Sequence, residues 1–246
     1  MKNKSLESSP QLYARIGGVL YLIMIILGIV AELVVRGKII VHGNVAATAE
    51  NLKSMESLWR FGIANEVILT IITICLGWIT YYLTRPVNKK LALLALLFNM
   101  VATTVIIAYA LYLIQALFPL DDAQYLKAFT PDQRYVITNM ALRSHALGYG
   151  ISLLLFGPFF FITGYLIIKS GYFPKIIGVL YLIPGLSYMT SSFALILAPK
   201  FADQYYFVIA GPALIGELSF CLWLLFKGVN LDKWNDKIIS AQVELV

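Results

Sequence analysis

Six stretches of the sequence are apolar for roughly the 20 residues that a helix needs to cross a hydrocarbon core about 30 Å thick. They lie near residues 16–35, 63–83, 91–118, 147–168, 176–197 and 207–226, and no other feature limits the fold so strongly. Runs of this length read as membrane-spanning α-helices. Pro158, Pro184 and Pro212 fall inside them, which a membrane helix tolerates where neighbouring groups satisfy the freed carbonyl. Composition agrees. The chain is 60% hydrophobic and 13% charged, against about 45–50% and roughly 25% for soluble domains. The same figures exclude a disordered chain and, with two cysteines and no sustained a/d seam, a disulfide-stapled scaffold or a coiled coil. The expected fold is an all-α integral membrane protein, one transmembrane domain over residues 1–246, with six helices in three hairpins.

The formal net charge is +6, but the basic residues are spread between the apolar runs rather than gathered in a patch, which argues against nucleic acid as a partner. They orient the chain instead. With the N-terminus inside, Lys2, Lys4, Arg15, Arg85, Lys89, Lys90, Lys169, Lys175, Lys227, Lys233 and Lys237 are cytoplasmic; Arg36, Lys38, Lys53, Arg60, Lys127, Arg134, Arg143 and Lys200 are outside. Both termini are expected in the cytoplasm. The first apolar run is longer than a signal-peptide core and lacks a convincing cleavage site, so it is expected to remain as a span. Cys75 and Cys221 sit within apolar runs, without a C-x-x-C or clustered histidines, and read as buried thiols.

Two outer connections are long, 36–62 and 119–146. In the first, Leu52, Met55, Leu58 and Trp59 recur at helical spacing among charged residues, the pattern of an amphipathic helix on the membrane surface. In the second, Thr130 followed by Pro131 looks like an N-cap and first helical residue.

The sequence also echoes itself. Arg15-Ile-Gly-Gly-Val-Leu-Tyr-Leu-Ile returns as Lys175-Ile-Ile-Gly-Val-Leu-Tyr-Leu-Ile. Both segments start from the same side, so helices one-two and five-six are expected to form a parallel internal repeat, with three-four as a looser third copy. Glu66 and Glu217 occupy the second helix of each copy, each with a glycine eleven residues on, Gly77 and Gly228.

Charge inside a bilayer is costly and marks candidate function. Glu32, Glu66, Arg143, His145 and Glu217 qualify, with Asn65, Asn99 and Gln115 as uncharged companions. Glu32 and Arg143, near helix ends, are expected to snorkel or to pair at the outer interface. Glu66 and Glu217 lie too deep to reach water, so each is neutral or shares a partner. Glu66, Thr70 and Thr73 share one helix face, His145, Tyr149 and Ser152 another, and Gly178, Tyr181, Gly185, Tyr188 and Ser192 a third. Together these faces would line a polar pocket opening outward, with Glu66, His145, Glu217, Thr70, Thr73, Tyr149 and Gln115 as its ligand- or proton-linked residues. Two carboxylates and one imidazole also suit a divalent metal and a lipid hydrolase using metal-activated water. No H-E-x-x-H, G-x-S-x-G, Walker A or G-x-G-x-x-G motif accompanies them, so a metal is not favoured and no cofactor is expected.

Arg15-x-x-Gly18-x-x-Tyr21-Leu22, the segment from Asn44 to Arg60, Gly164-Tyr165-Leu166 with Ser170, Pro174 and Gly178, and Gly216-Glu217 with Leu222-Trp223-Leu224 resemble the bacterial membrane family known as domain of unknown function 4386. The resemblance spans nearly the whole chain and implies a multi-pass fold in a prokaryotic cell membrane; it carries no activity, substrate or catalytic residue. The residues point to binding or transport of a small solute or lipid, by one copy or a homo-oligomer. A metal-dependent lipid hydrolase and a structural or sensory subunit are the competing classes.

Overall fold

The computed structural model describes residues 9–243, which hold six helices long and apolar enough to cross a membrane. Lys2 and Lys4 of the orientation argument lie outside the described residues. In chain order the elements are α1 (Pro10–Ile39), α2 (Val45–Ser54), α3 (Glu56–Thr84), α4 (Lys89–Gln115), α5 (Pro131–Ser170), α6 (Lys175–Leu197), α7 (Pro199–Phe226) and α8 (Leu231–Val243). All but α2 and α8 are spans, although the apolar span of α7 begins only at Val208.

Each span packs on the next, α1 on α3, α3 on α4, α4 on α5, α5 on α6 and α6 on α7, and α7 returns to α1. The result is a closed ring of six helices. Side-chain size explains which face of α1 turns inward. On α1 the large residues Leu12, Ile16, Val19, Ile23, Ile26 and Leu33 are exposed, whereas Ala14, Gly17, Gly18 and Tyr21 are buried. In lipid, Leu gains nothing by burial, so small residues that let backbones approach occupy the interior and bulky ones meet the acyl chains.

One end of the ring is tightly closed. The Gln11 amide donates to Lys227 O at 3.0 Å and accepts from Val229 N–H at 2.9 Å; Arg15 donates to Leu225 O, and the Cys221 thiol lies 3.5 Å from Gly18 O. Helix α8, which the apolar periodicity did not announce, adds Trp234, packed against Tyr172 (4.9 Å) and Tyr82 (6.0 Å). From the α5–α6 turn, Tyr172 donates its hydroxyl to Leu83 O of α3 at 2.7 Å. Burial pushes that phenol above its ordinary range, so it remains a donor throughout the pH range in which proteins are handled. Tyr172→Phe is expected to lower stability by about 1 kcal/mol, with no pH dependence between about pH 5 and about pH 9, as read from thermal unfolding in detergent.

The structure differs from the sequence expectation in three ways. First, the surface helix breaks at Met55: α2 stops at Ser54, and Leu58 and Trp59 already belong to α3. Trp59 is 2% exposed and donates its indole N–H to Leu113 O at 2.9 Å, in a second apolar cluster with Val35, Leu52, Leu113 and Leu142. It is a core residue. Second, residues 131–146 are not a separate outer element; they are the first turns of α5, which runs 40 residues through Pro158 without interruption. At 1.5 Å per residue that is about 60 Å, twice the hydrocarbon core, so its start projects beyond the bilayer. Thr130 is its N-cap, with a reciprocal bond from Gln133, and Pro131 its first residue. Third, Cys75 is exposed, beside Ile71 and Ile74 on the outward face of α3, and only Cys221 is buried.

Candidate functional site

The ring encloses a cavity of about 460 Å³ to which all six spans contribute. Its walls are mostly apolar, and its polar groups fall into two sets.

The first set is built around a change in helix winding. Between Val30 and Arg36, α1 is a π-helix, and Gly37 N–H closes on Glu32 O five residues back. A π turn holds one residue more than an α turn and is disproportionately found at functional positions. Where the winding changes, the Asn65 amide of α3 donates to Leu27 O at 2.9 Å, giving that carbonyl a donor from another helix. Arg36 then reaches across to α3. Its Nη1 donates to Glu32 Oε2 and its Nη2 to Glu66 Oε2, each at 3.1 Å, and the Glu66 side chain is only 6% exposed. The guanidinium fork spans two carboxylates with separate nitrogens, a geometry that an ammonium group lacks. Thr70 and Thr73 line the same wall one and two turns on, but their hydroxyls donate to Glu66 O and Leu69 O of their own helix.

The second set lies toward the closed end. Tyr188 donates its hydroxyl to Glu217 Oε1 at 2.6 Å, and the hydroxyls of Tyr21 and Tyr181 are 3.3 Å apart. Tyr21 and Arg36 are 15 residues apart on α1, so the two sets are separated by about 22 Å along the axis. Between them stand Leu69, Leu76, Leu153 and Phe156.

The site expected from the sequence is thus partly assembled. Glu66, Glu217, Thr70, Thr73 and Tyr149 line the cavity. His145 does not; it is buried against Tyr149, ring centroids 6.3 Å apart. Gln115 is exposed at the last turn of α4 and takes no part in the lining. Glu66 and Glu217 share the cavity without sharing a partner, and among the described residues no three His, Cys, Asp or Glu side chains are placed to hold a metal ion. Glu32 pairs with Arg36 rather than with Arg143, which is exposed. The glycines of the echo also differ in role. Gly77 is mid-helix against Asn99, whereas Gly228 has φ +68° and ends α7. Arg36 is the residue that the sequence reading missed. Hydropathy places it just past the first apolar run, among the loop charges, whereas its i,i+4 spacing from Glu32 is the sequence signal of pairing on one helix face.

The cavity also reaches the surface. Ile29, Leu33 and Leu214 line it while being 46%, 62% and 45% exposed. They belong to α1 and α7, the pair that locks together at the other end. Gly28 and Gly211 line it as well, and a Cβ on either would have no atom within 4 Å beyond its own helix. Past Gly28 on α1 and before Pro212 on α7 the two helices leave a gap.

Among known proteins, an uncharacterized protein of Archaeoglobus fulgidus is 30% identical over 174 residues, which cover 70% of this chain and 87% of that protein. No solved structure matches the chain. The family model for the domain of unknown function DUF4386 matches residues 16–228, nearly the whole of the six-helix ring, and the chain belongs to that family.

Proposed function

We propose that this protein binds a small lipid or lipophilic solute inside the six-helix ring and moves it between the bilayer and the cavity. The observation that carries the reading is the cavity itself: about 460 Å³, within the range of pockets for small organic ligands, polar at two ends and apolar between. Its opening between α1 and α7 is bordered by Ile29, Leu33 and Leu214, side chains suited to acyl chains rather than water, so the ligand is exchanged with the membrane. The basic loops put both termini in the cytoplasm, which turns the Arg36 end outward. The parallel repeat belongs to the same reading. Tyr21 and Tyr181, equivalent in the echo, meet at 3.3 Å, and equivalent Gly18 and Gly178 each abut a neighbour's backbone. The bilayer is the partner implied throughout, and the protein belongs in a prokaryotic cell membrane.

The test uses the open glycine. Gly211→Trp places an indole in the gap without meeting a neighbouring helix, so the fold should survive while access closes. We expect loss of lipophile recovered with the purified protein, by native mass spectrometry, by about tenfold or more, with unchanged size-exclusion profile and helicity. Full retention of the same lipophile by a well-folded Gly211→Trp protein would refute access by this route.

A further inference from the structure

We infer that the closed end of the cavity is a site for an organic ammonium group, with Glu217 as its counter-ion and the rings of Tyr21, Phe160, Tyr181, Tyr188 and Phe220 as its walls. This rests on the reading that the cavity binds a ligand, and names the chemistry of that ligand's head.

Glu66 and Glu217 are the two carboxylates set deep in spanning helices, and their surroundings differ. Glu66 has the Arg36 guanidinium at 3.1 Å. Glu217 has a hydroxyl, Tyr188, and among the described residues no lysine, arginine or histidine pairs with it. The acidic and basic groups on the cavity wall are Glu32, Glu66, Glu217 and Arg36, so once Arg36 is shared by the first two, Glu217 is the site still lacking positive charge. What stands around it is aromatic. Phe160 lies 4.9 Å from Tyr181 and 5.5 Å from Tyr188, Phe220 lies 4.7 Å from Tyr181 and 6.5 Å from Tyr21, and all five rings line the cavity. Interplanar angles of 54° to 82° pack these rings against one another edge-on and tilted, and the four helices that carry them, α1, α5, α6 and α7, bring all five to the cavity wall that also holds Glu217.

Ring faces carry negative quadrupole potential, and a box of them recognises ammonium groups, quaternary ones above all, because these shed water cheaply. The same box disfavours an anion, as does the carboxylate. A metal ion or a small hydrated cation would find one carboxylate and few other oxygens, too little to replace its hydration. A methylated or alkylated ammonium keeps its charge and gains ring contact. Its alkyl portion would extend along Leu69, Leu76 and Leu153, toward the gap by which it arrived.

The experiment compares a charged and an uncharged ligand of one chain length on the purified protein in neutral-lipid nanodiscs. Dodecyltrimethylammonium is set against dodecanol, and tetramethylammonium is added as competitor, with binding read by calorimetry. We expect the long-chain cation to bind at least about tenfold more tightly than the alcohol, and Glu217→Gln to remove that difference by weakening the cation. Tyr188→Phe, which keeps the ring and frees the carboxylate, should retain the preference; Tyr188→Leu should weaken it. Competition by millimolar tetramethylammonium identifies a soluble cation as the source, and its failure against a bound long-chain cation identifies a membrane amphiphile; either supports the site. Equal affinity for cation and alcohol overturns the ammonium site, while leaving the cavity reading standing if Gly211→Trp abolishes both. Binding of neither overturns the cavity reading as well. The charge comparison on the unaltered protein needs no variant, so it decides the matter even if Glu217→Gln does not fold.

Discussion

Arg36→Leu is expected to lower the stability of the protein by about 3–5 kcal/mol, the usual cost of removing one partner from a buried ion pair. The loss comes less from the bonds than from what remains. Glu66, with its side chain 6% exposed, would be left as an isolated carboxylate inside a spanning helix. Glu32 would contribute little to the loss. Its side chain is 43% exposed, so solvent and headgroups screen it, and Glu32→Gln should cost below about 1 kcal/mol. Arg36→Lys should fall between, because one ammonium cannot present two separated donors to two carboxylates. The decisive variant is the double replacement Arg36→Leu with Glu66→Leu. Apolar residues in place of a buried pair are often neutral, so it should regain most of what Arg36→Leu lost, an interaction that a double-mutant cycle reads directly. Thermal or SDS-induced unfolding in detergent measures all four, and Glu66→Leu alone completes the cycle. An Arg36→Leu protein as stable as Glu32→Gln would show that the guanidinium does not hold Glu66.

That pair also shows where a sequence stops being readable. The spans were legible because the bilayer imposes one rule on every residue, that backbone groups be satisfied within the helix. Thr130 and Pro131 were legible because an N-cap is a local contract between four residues. Glu66, Thr70 and Thr73 could be put on one face for the same reason, since only helical pitch is needed. Which way that face turns is a different matter. His145 satisfies the same periodic criterion and Gln115 is a polar residue within an apolar run, yet one is buried against Tyr149 and the other is exposed, because the rotation of each helix is set by its two neighbours in the ring. Trp59 misled for a related reason. A tryptophan among charged residues usually marks a membrane interface, and here its indole N–H instead finds Leu113 O on α4. Arg36 was lost at the boundary of a run that ended, by hydropathy, one residue too early; α1 continues to Ile39 through a π segment that no composition rule foretells. Helix α8 has too few apolar residues to stand out, and its Trp234 becomes meaningful only once Tyr82 and Tyr172 are beside it.

The second large effect concerns the glycines that close the ring. At Gly18 a Cβ would stand 2.5 Å from the backbone nitrogen and 2.7 Å from the Cα of Leu225 on α7; at Gly178 it would meet Gly164 O at 2.7 Å and Ile168 N at 2.8 Å on α5. Backbone atoms cannot rotate aside as a side chain can, so the helices must separate. Gly18→Ala and Gly178→Ala are each expected to cost about 1–3 kcal/mol by overpacking, and leucine at either position should prevent recovery of folded protein. Helix propensity predicts the reverse, since alanine is favoured over glycine by about 1 kcal/mol within a helix. Gly28→Ala and Gly211→Ala separate the two effects. They sit on the same helices, α1 and α7, with no neighbouring atom within 4 Å of the new methyl group, and should be neutral or slightly stabilising in the same unfolding assay. The contrast within one helix pair would establish that α1 and α7 are clamped at the Gly18 end and free at the Gly28 end. If Gly18→Ala proved as harmless as Gly28→Ala, the two helices would not be clamped at the Gly18 end.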